Sequence, residues 1–136
     1  MSVIVTDIGF RADDFDGDII PLAEAAEAAV SVELAPDADP QALVGRLTAL
    51  KLIAINFPSF ADGRGFTIAR QLRRMGYQGR LRARGHVISD QYAMARRSGF
   101  DEVEISAEQA ARQPETEWMF RADWQNHDYQ ARLRKD

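Results

Sequence analysis

Leu52-Ile53-Ala54-Ile55-Asn56-Phe57, running into Pro58-Ser59-Phe60-Ala61-Asp62-Gly63-Arg64-Gly65, is the stretch on which the fold turns. The first six residues are an apolar run without alternation, as expected of a central strand buried on both faces. The glycine-bearing loop then opens a helix that places Ile68, Ala69, Leu72 and Met75 on one side, with Gly76 and Gly79 ending it. Strand, loop and helix in that order form the unit of a parallel α/β sheet.

The same rhythm extends in both directions. Upstream, Val30, Val32 and Leu34 alternate with Ser31 and Glu33, which predicts a half-buried strand. Asp39-Pro40 reads as an N-cap with proline at the first helical position, and Leu43, Leu47 and Leu50 form a helical stripe behind it. Downstream, Arg80-Leu81-Arg82-Ala83-Arg84-Gly85-His86-Val87 alternates strictly, predicting a third strand. A helix over about 88–97 is expected to end at Gly99, Asp101–Ile105 reads as a fourth strand, and Ser106 with Gln109 forms a capping box for a last helix. Repeated β-then-α spacing implies parallel strands joined by right-handed crossovers.

Leu81, Ala83 and Val87 face one way in the third strand and Arg80, Arg82, Arg84 and His86 the other; Glu102 and Glu104 oppose Val103 and Ile105 in the fourth. A sheet covered by helices on both faces would have uniformly apolar strands. The predicted architecture is therefore α/β, a parallel four-stranded sheet in order 1-2-3-4 with helices mainly on one face, like half a (β/α)₈ barrel. On the polar face, Arg82 and Arg84 are placed to pair with Glu102 and Glu104. A flavodoxin-like three-layer sheet is the alternative. Residues 1–28 form a poorly defined N-terminal segment containing a short strand at Val3–Thr6, and residues 29–136 form a single α/β domain. A half barrel leaves an edge and a concave face uncovered. The expected covers are residues 1–28, the aromatic tail (Trp118, Phe120, Trp124, Tyr129) or a second copy of the chain, and a homodimer is expected on that ground. The tail aromatics read either as a partner patch or as a small satellite core.

At 136 residues, 46% hydrophobic and 28% charged, the chain has the composition of one ordinary globular domain. The absence of cysteine excludes disulfide scaffolds, thiolate chemistry and iron–sulfur clusters. A net charge of −4 argues against nucleic-acid binding, and no signal peptide or membrane-length apolar run is visible, so a cytoplasmic protein is expected. Charge is segregated, with nine arginines and only Asp90 as an acid between residues 63 and 100. This marks either an anion site or pairing of basic and acidic segments within the fold. The run Asp13-Asp14-Phe15-Asp16-Gly17-Asp18 lacks the closing glutamate of a calcium loop and reads as a solvated acidic turn.

Parallel α/β sheets bind ligands beyond the carboxyl ends of their strands. Asn56 ends the second strand there, and Asp62, Gly63, Arg64 and Gly65 follow it. Glycine amides and the Arg64 fork suit phosphate, sulfate or carboxylate, with Arg84 and Gln91 nearby. Equally, Asp62 caps the helix and Arg64 pairs with a neighbouring acid. His86 ends the third strand, where it suits acid–base chemistry oriented by Asp90, or simply donates to a backbone carbonyl. A metal would need Asp62, His86 and Asp90 to fold together, and none is expected. His127 has no local partner. No flavin, nicotinamide or haem pattern is present, so no cofactor is expected.

The block Leu52–Ile105 resembles a bacterial domain-of-unknown-function family whose members are often labelled oxidoreductases of sulfite reduction. The resemblance rests on Phe57-Pro58-Ser59-Phe60-Ala61-Asp62-Gly63-Arg64-Gly65-Phe66, Ala69-Arg70-Gln71-Leu72-Arg73, Gly79–Ala83, Gly85-His86-Val87, Asp90-Gln91 and Arg97–Asp101, with Tyr129-Gln130 near the end. It implies a link to sulfate assimilation and sulfite reductase, with any electron carrier belonging to a partner. Three readings follow: an accessory protein of sulfite or sulfate reduction that binds an anion or a reductase; a small enzyme using Arg64 to bind and His86 or Asp90 for acid–base work; or an interaction module without a small-molecule site.

Overall fold

The computed structural model describes residues 2–125. Its strands are β1 (Ser2–Thr6), β2 (Gly9–Arg11), β3 (Ile20–Pro21), β4 (Ser31–Leu34), β5 (Leu52–Phe57), β6 (Arg80–Gly85) and β7 (Glu102–Ser106). The helices are α1 (Arg64–Arg74), α2 (Tyr92–Ser98), α3 (Ala107–Arg112) and α4 (Glu115–Met119). All seven strands join one sheet in the order β2-β1-β7-β6-β5-β4-β3.

The four strands β4 to β7 are parallel and sequential, as the repeated β-then-α spacing predicted. The expectation of a four-stranded, purely parallel half barrel is nevertheless corrected. The sheet has seven strands and is mixed, because β1 runs antiparallel to both β2 and β7. No barrel is formed. Of the three extra strands, β1 was expected at Val3–Thr6, whereas β2 and β3, of three and two residues, are too short to show periodicity.

The sheet's apolar row runs through Val32, Ile53 and Leu81, with Leu34, Ile55, Ala83, Val103 and Val5 beside it. Phe66, Ile68, Ala69 and Leu72 of α1, Tyr92 and Ala95 of α2 and Trp118 of α4 join it in one core. The three-layer alternative is thereby set aside: the opposite row carries Glu33, Arg82 and Glu102, then Asn56, Arg84 and Glu104.

Part of that polar row, at Arg80 and Arg82, is covered by a segment between the first strands. Because β2 and β3 lie at opposite edges, residues 12–19 cross the sheet between them. Asp13 Oδ1 and Oδ2 each accept from Arg82 at 3.0 Å, Asp14 Oδ1 accepts from Arg80 at 2.6 Å, and Ser31 Oγ donates to the Asp18 carbonyl. The acidic turn is exposed, as expected of a solvated turn, and Asp13 and Asp14 also make it an ionic strap. Arg82 is fully buried and also donates to Glu102 and Glu104 at 2.5 and 2.8 Å. Burial alone would lower its pKa; these carboxylates reverse that and hold it above the ordinary arginine value. The segregated charges therefore do pair within the fold.

The expected helix after Pro40 is absent. Asp39 caps as predicted, its Oδ1 accepting from the Gln41 amide, but the segment makes two 3₁₀ turns, Pro40–Leu43 and Leu47–Ala49. Gly45, at φ +86°, breaks the path between them. Leu43 and Leu50 are buried all the same. The capping box is only half formed: Ser106 Oγ accepts from the Gln109 amide, whereas the Gln109 side chain donates to the Val87 carbonyl.

The tail divides between the two readings of its aromatics. Trp118 is core and packs edge-on to Tyr92, and Trp124 donates to Asp7 under the Arg96 guanidinium; Phe120 is exposed. Tyr129 and His127 lie outside the described residues. Among those residues no helix is long and apolar enough to cross a membrane.

Candidate functional site

The carboxyl ends of β5 and β6 are held together by one backbone feature. Gly85 takes φ +106°, and the following amide, that of His86, donates to the Phe57 carbonyl at 2.9 Å. A Cβ at Gly85 would lie 2.5 Å from that oxygen. The strand therefore turns off the sheet at His86, and a polar groove opens above Asn56 and Arg84.

Two adjoining hollows of about 560 and 400 Å³ make up this groove, sharing His86, Gln109 and Arg112. The larger reaches over the polar row to Asn56, Arg84, Glu33 and Glu104. The smaller runs outward past Phe60, Ile88 and Gln113. Volumes of this size suit a small ligand.

Three glutamines fix the walls. Gln91 accepts from the Ile88 amide and donates to the Phe60 carbonyl, so it joins the β5–α1 loop to the β6–α2 turn. Gln109 donates to the Val87 carbonyl at 2.6 Å, and Gln113 accepts from the Ser89 amide at 3.0 Å. The loop backbone around His86 is thus pinned from both sides.

The sequence-predicted site residues separate into two groups. Asn56, Arg84 and His86 line the groove. Arg84 is engaged there, with Glu33 at 2.9 Å and Glu104 at 3.2 Å. Gln91 acts one layer behind as a wall tie. Asp62, Gly63, Arg64 and Gly65 do not line the groove. Asp62 accepts from the Arg64 amide and from its guanidinium at 3.0 and 2.7 Å, an exposed pair that holds the Asp62 carboxyl below its usual range. Gly65 seats the helix against the Phe57 ring, which a Cβ would meet at 2.5 Å. Asp90 pairs with Arg121 at 2.8 Å instead of orienting His86. Among the described residues no cluster of three or more His, Asp or Glu has metal-ligating geometry.

Arg112 escaped the sequence reading. It sits at the last turn of α3, and neither it nor the His86 imidazole has a side-chain partner among the described residues. The signal was the position of α3 directly after the fourth strand, where its residues must overhang the carboxyl ends. Phe60, 59% exposed at the outer rim, was visible in the loop but had no assigned role.

Fold and groove together define a mixed α/β domain with a polar, arginine-bearing hollow above its parallel strands. Residues 31–136 match the model of a bacterial protein family of unknown function, DUF934, and the chain belongs to that family. No curated protein and no solved structure matches it. The family match begins at β4, so β1, β2 and the strap lie outside it.

Proposed function

We propose that this protein is an accessory factor of sulfite or sulfate reduction that binds a small oxyanion in the groove above β5 and β6. The observation that carries the reading is the pair His86 and Arg112. Both border the hollow shared by the two cavities, and both lack partners among the described residues. Arg84 is neutralised by Glu33 and Glu104, so the free donors are the ones an anion would meet. The link to sulfite reduction comes from the resemblance of Phe57–Phe66 and Gly85-His86-Val87 to proteins so labelled. A reductase partner would meet the exposed Arg64 and Phe60 at the same rim. The chain would act as a homodimer, for which the exposed side chains Val44 and Phe120 are the remaining support. The strap and edge strands already cover part of the surface on which that expectation first rested.

The test is a thermal-shift titration with sulfite, sulfate and phosphate. Millimolar anion should raise the melting temperature by a few degrees, and Arg112→Ala and His86→Ala should each abolish most of the rise. An unchanged melting temperature in all three salts, beyond a chloride control, would sink the proposal. A second reading, a small enzyme, has His86 in the groove in its favour; turnover lost in His86→Ala with anion binding intact would select it.

A further inference from the structure

We infer that the groove takes an oxyanion ester carrying a flat aromatic or heteroaromatic ring, with the anion at His86 and Arg112 and the ring on Phe60. The inference rests on the anion reading above and extends it to the shape of the ligand.

The outer hollow differs in kind from the inner one. The inner hollow sets three carboxylates, Glu33, Glu104 and Glu108, against Arg84 and Arg112, and Arg84 is already paired with the first two, so an anion placed deep against the sheet meets a lining that is net negative. The outer hollow has no carboxylate: Phe60, His86, Ile88, Gln109, Arg112 and Gln113 line it. An anion is therefore steered to the His86–Arg112 boundary, and the rest of the ligand extends towards Phe60 and Ile88. At about 400 Å³ this half is far larger than an inorganic oxyanion needs.

Its apolar element is in place before any ligand arrives. Phe60 is 59% exposed, yet its backbone is tied by Gln91 at 2.8 Å. Around it, Asp62 donates its amide to the Ser59 carbonyl and Ala61 donates to Ser59 Oγ. A presented ring on a pinned backbone stacks with little ordering cost. Gln109 and Gln113 have spent hydrogen bonds on the Val87 carbonyl and the Ser89 amide. That leaves the outer walls poorer in free polar groups than their composition suggests, as a ring requires.

Isothermal titration of the full chain with inorganic phosphate, methyl phosphate, phenyl phosphate and adenosine monophosphate tests the inference. Phenyl phosphate should bind about tenfold more tightly than methyl phosphate, the worth of one aromatic stack. Phe60→Ala should remove that ratio while leaving inorganic phosphate binding intact, and Arg112→Ala should weaken every ligand. Adenosine monophosphate binding more tightly than phenyl phosphate would assign the ring to a nucleoside; the reverse order would assign it to a simple aryl ester. Equal affinity for methyl and phenyl phosphate, or a ratio that survives Phe60→Ala, overturns the inference and leaves the anion reading standing. No binding of any phosphate, together with no effect of sulfite, overturns both.

Discussion

Gly85 shows how much rests on one backbone angle. At φ +106° and with the Phe57 carbonyl 2.5 Å from where a Cβ would stand, any side chain must open the β5–β6 junction. Gly85→Ala should cost about 1–3 kcal/mol. Urea denaturation reads this directly, and an unshifted midpoint would mean the junction relaxes freely. Asn56, Arg84 and His86 were legible as groove residues because a strand's carboxyl end is where α/β sheets bind. The pairing of Arg82 and Arg84 with Glu102 and Glu104 was legible from the strand faces, but the pairing of charges outside neighbouring strands was not. Arg64 has Asp62 two residues away and pairs with it, whereas Arg82 pairs with an aspartate 69 residues distant. No local pattern separates them.

At the scale of elements, the strap over residues 12–19 holds to the sheet through carboxylates. Hydrogen bonds from Arg82 are the largest influence on Asp13, and those from Arg80 on Asp14; both carboxyls are held below the ordinary 3.8. A carboxyl lowered in the folded state stabilises it above the unfolded pKa, and that contribution disappears as pH falls through the folded value. The strap should therefore let go as pH drops below about 3.8, starting from full attachment at neutral pH. Limited proteolysis across that range should show cleavage at residues 12–19 before the sheet unfolds. Asp13→Asn should show the same cleavage already at pH 7; equal resistance of variant and wild type there would refute the assignment. Strands β4, β6 and β7 were legible because their alternation is four to six residues long, and β5 because it is a six-residue apolar run. The helix expected over the Leu43–Leu50 stripe failed because leucine spacing records burial, not backbone path, and Gly45 redirects the chain without disturbing it.

Across the whole molecule, the segment that sequence reading left undefined decides the sheet's boundaries. Residues 2–21 supply both edge strands and the cover for part of the polar row. Proline at β3 and the short length of β2 blunt those edges against pairing with other chains. Order along the chain and order across the sheet are thereby opposed. Ser2 pairs with Ser106, while β4, β5 and β6 each pair with the next strand in line. Closing a loop of that length is slow compared with joining successive strands. The strands before residue 22 are then expected to settle last, which leaves β7 an open edge in the meantime. Pulse-labelled hydrogen exchange during refolding should protect Ile53 and Leu81 before Ile4, and simultaneous protection would contradict this order. On that order, the β7 edge is the place where a second chain could pair by mistake until β1 closes it.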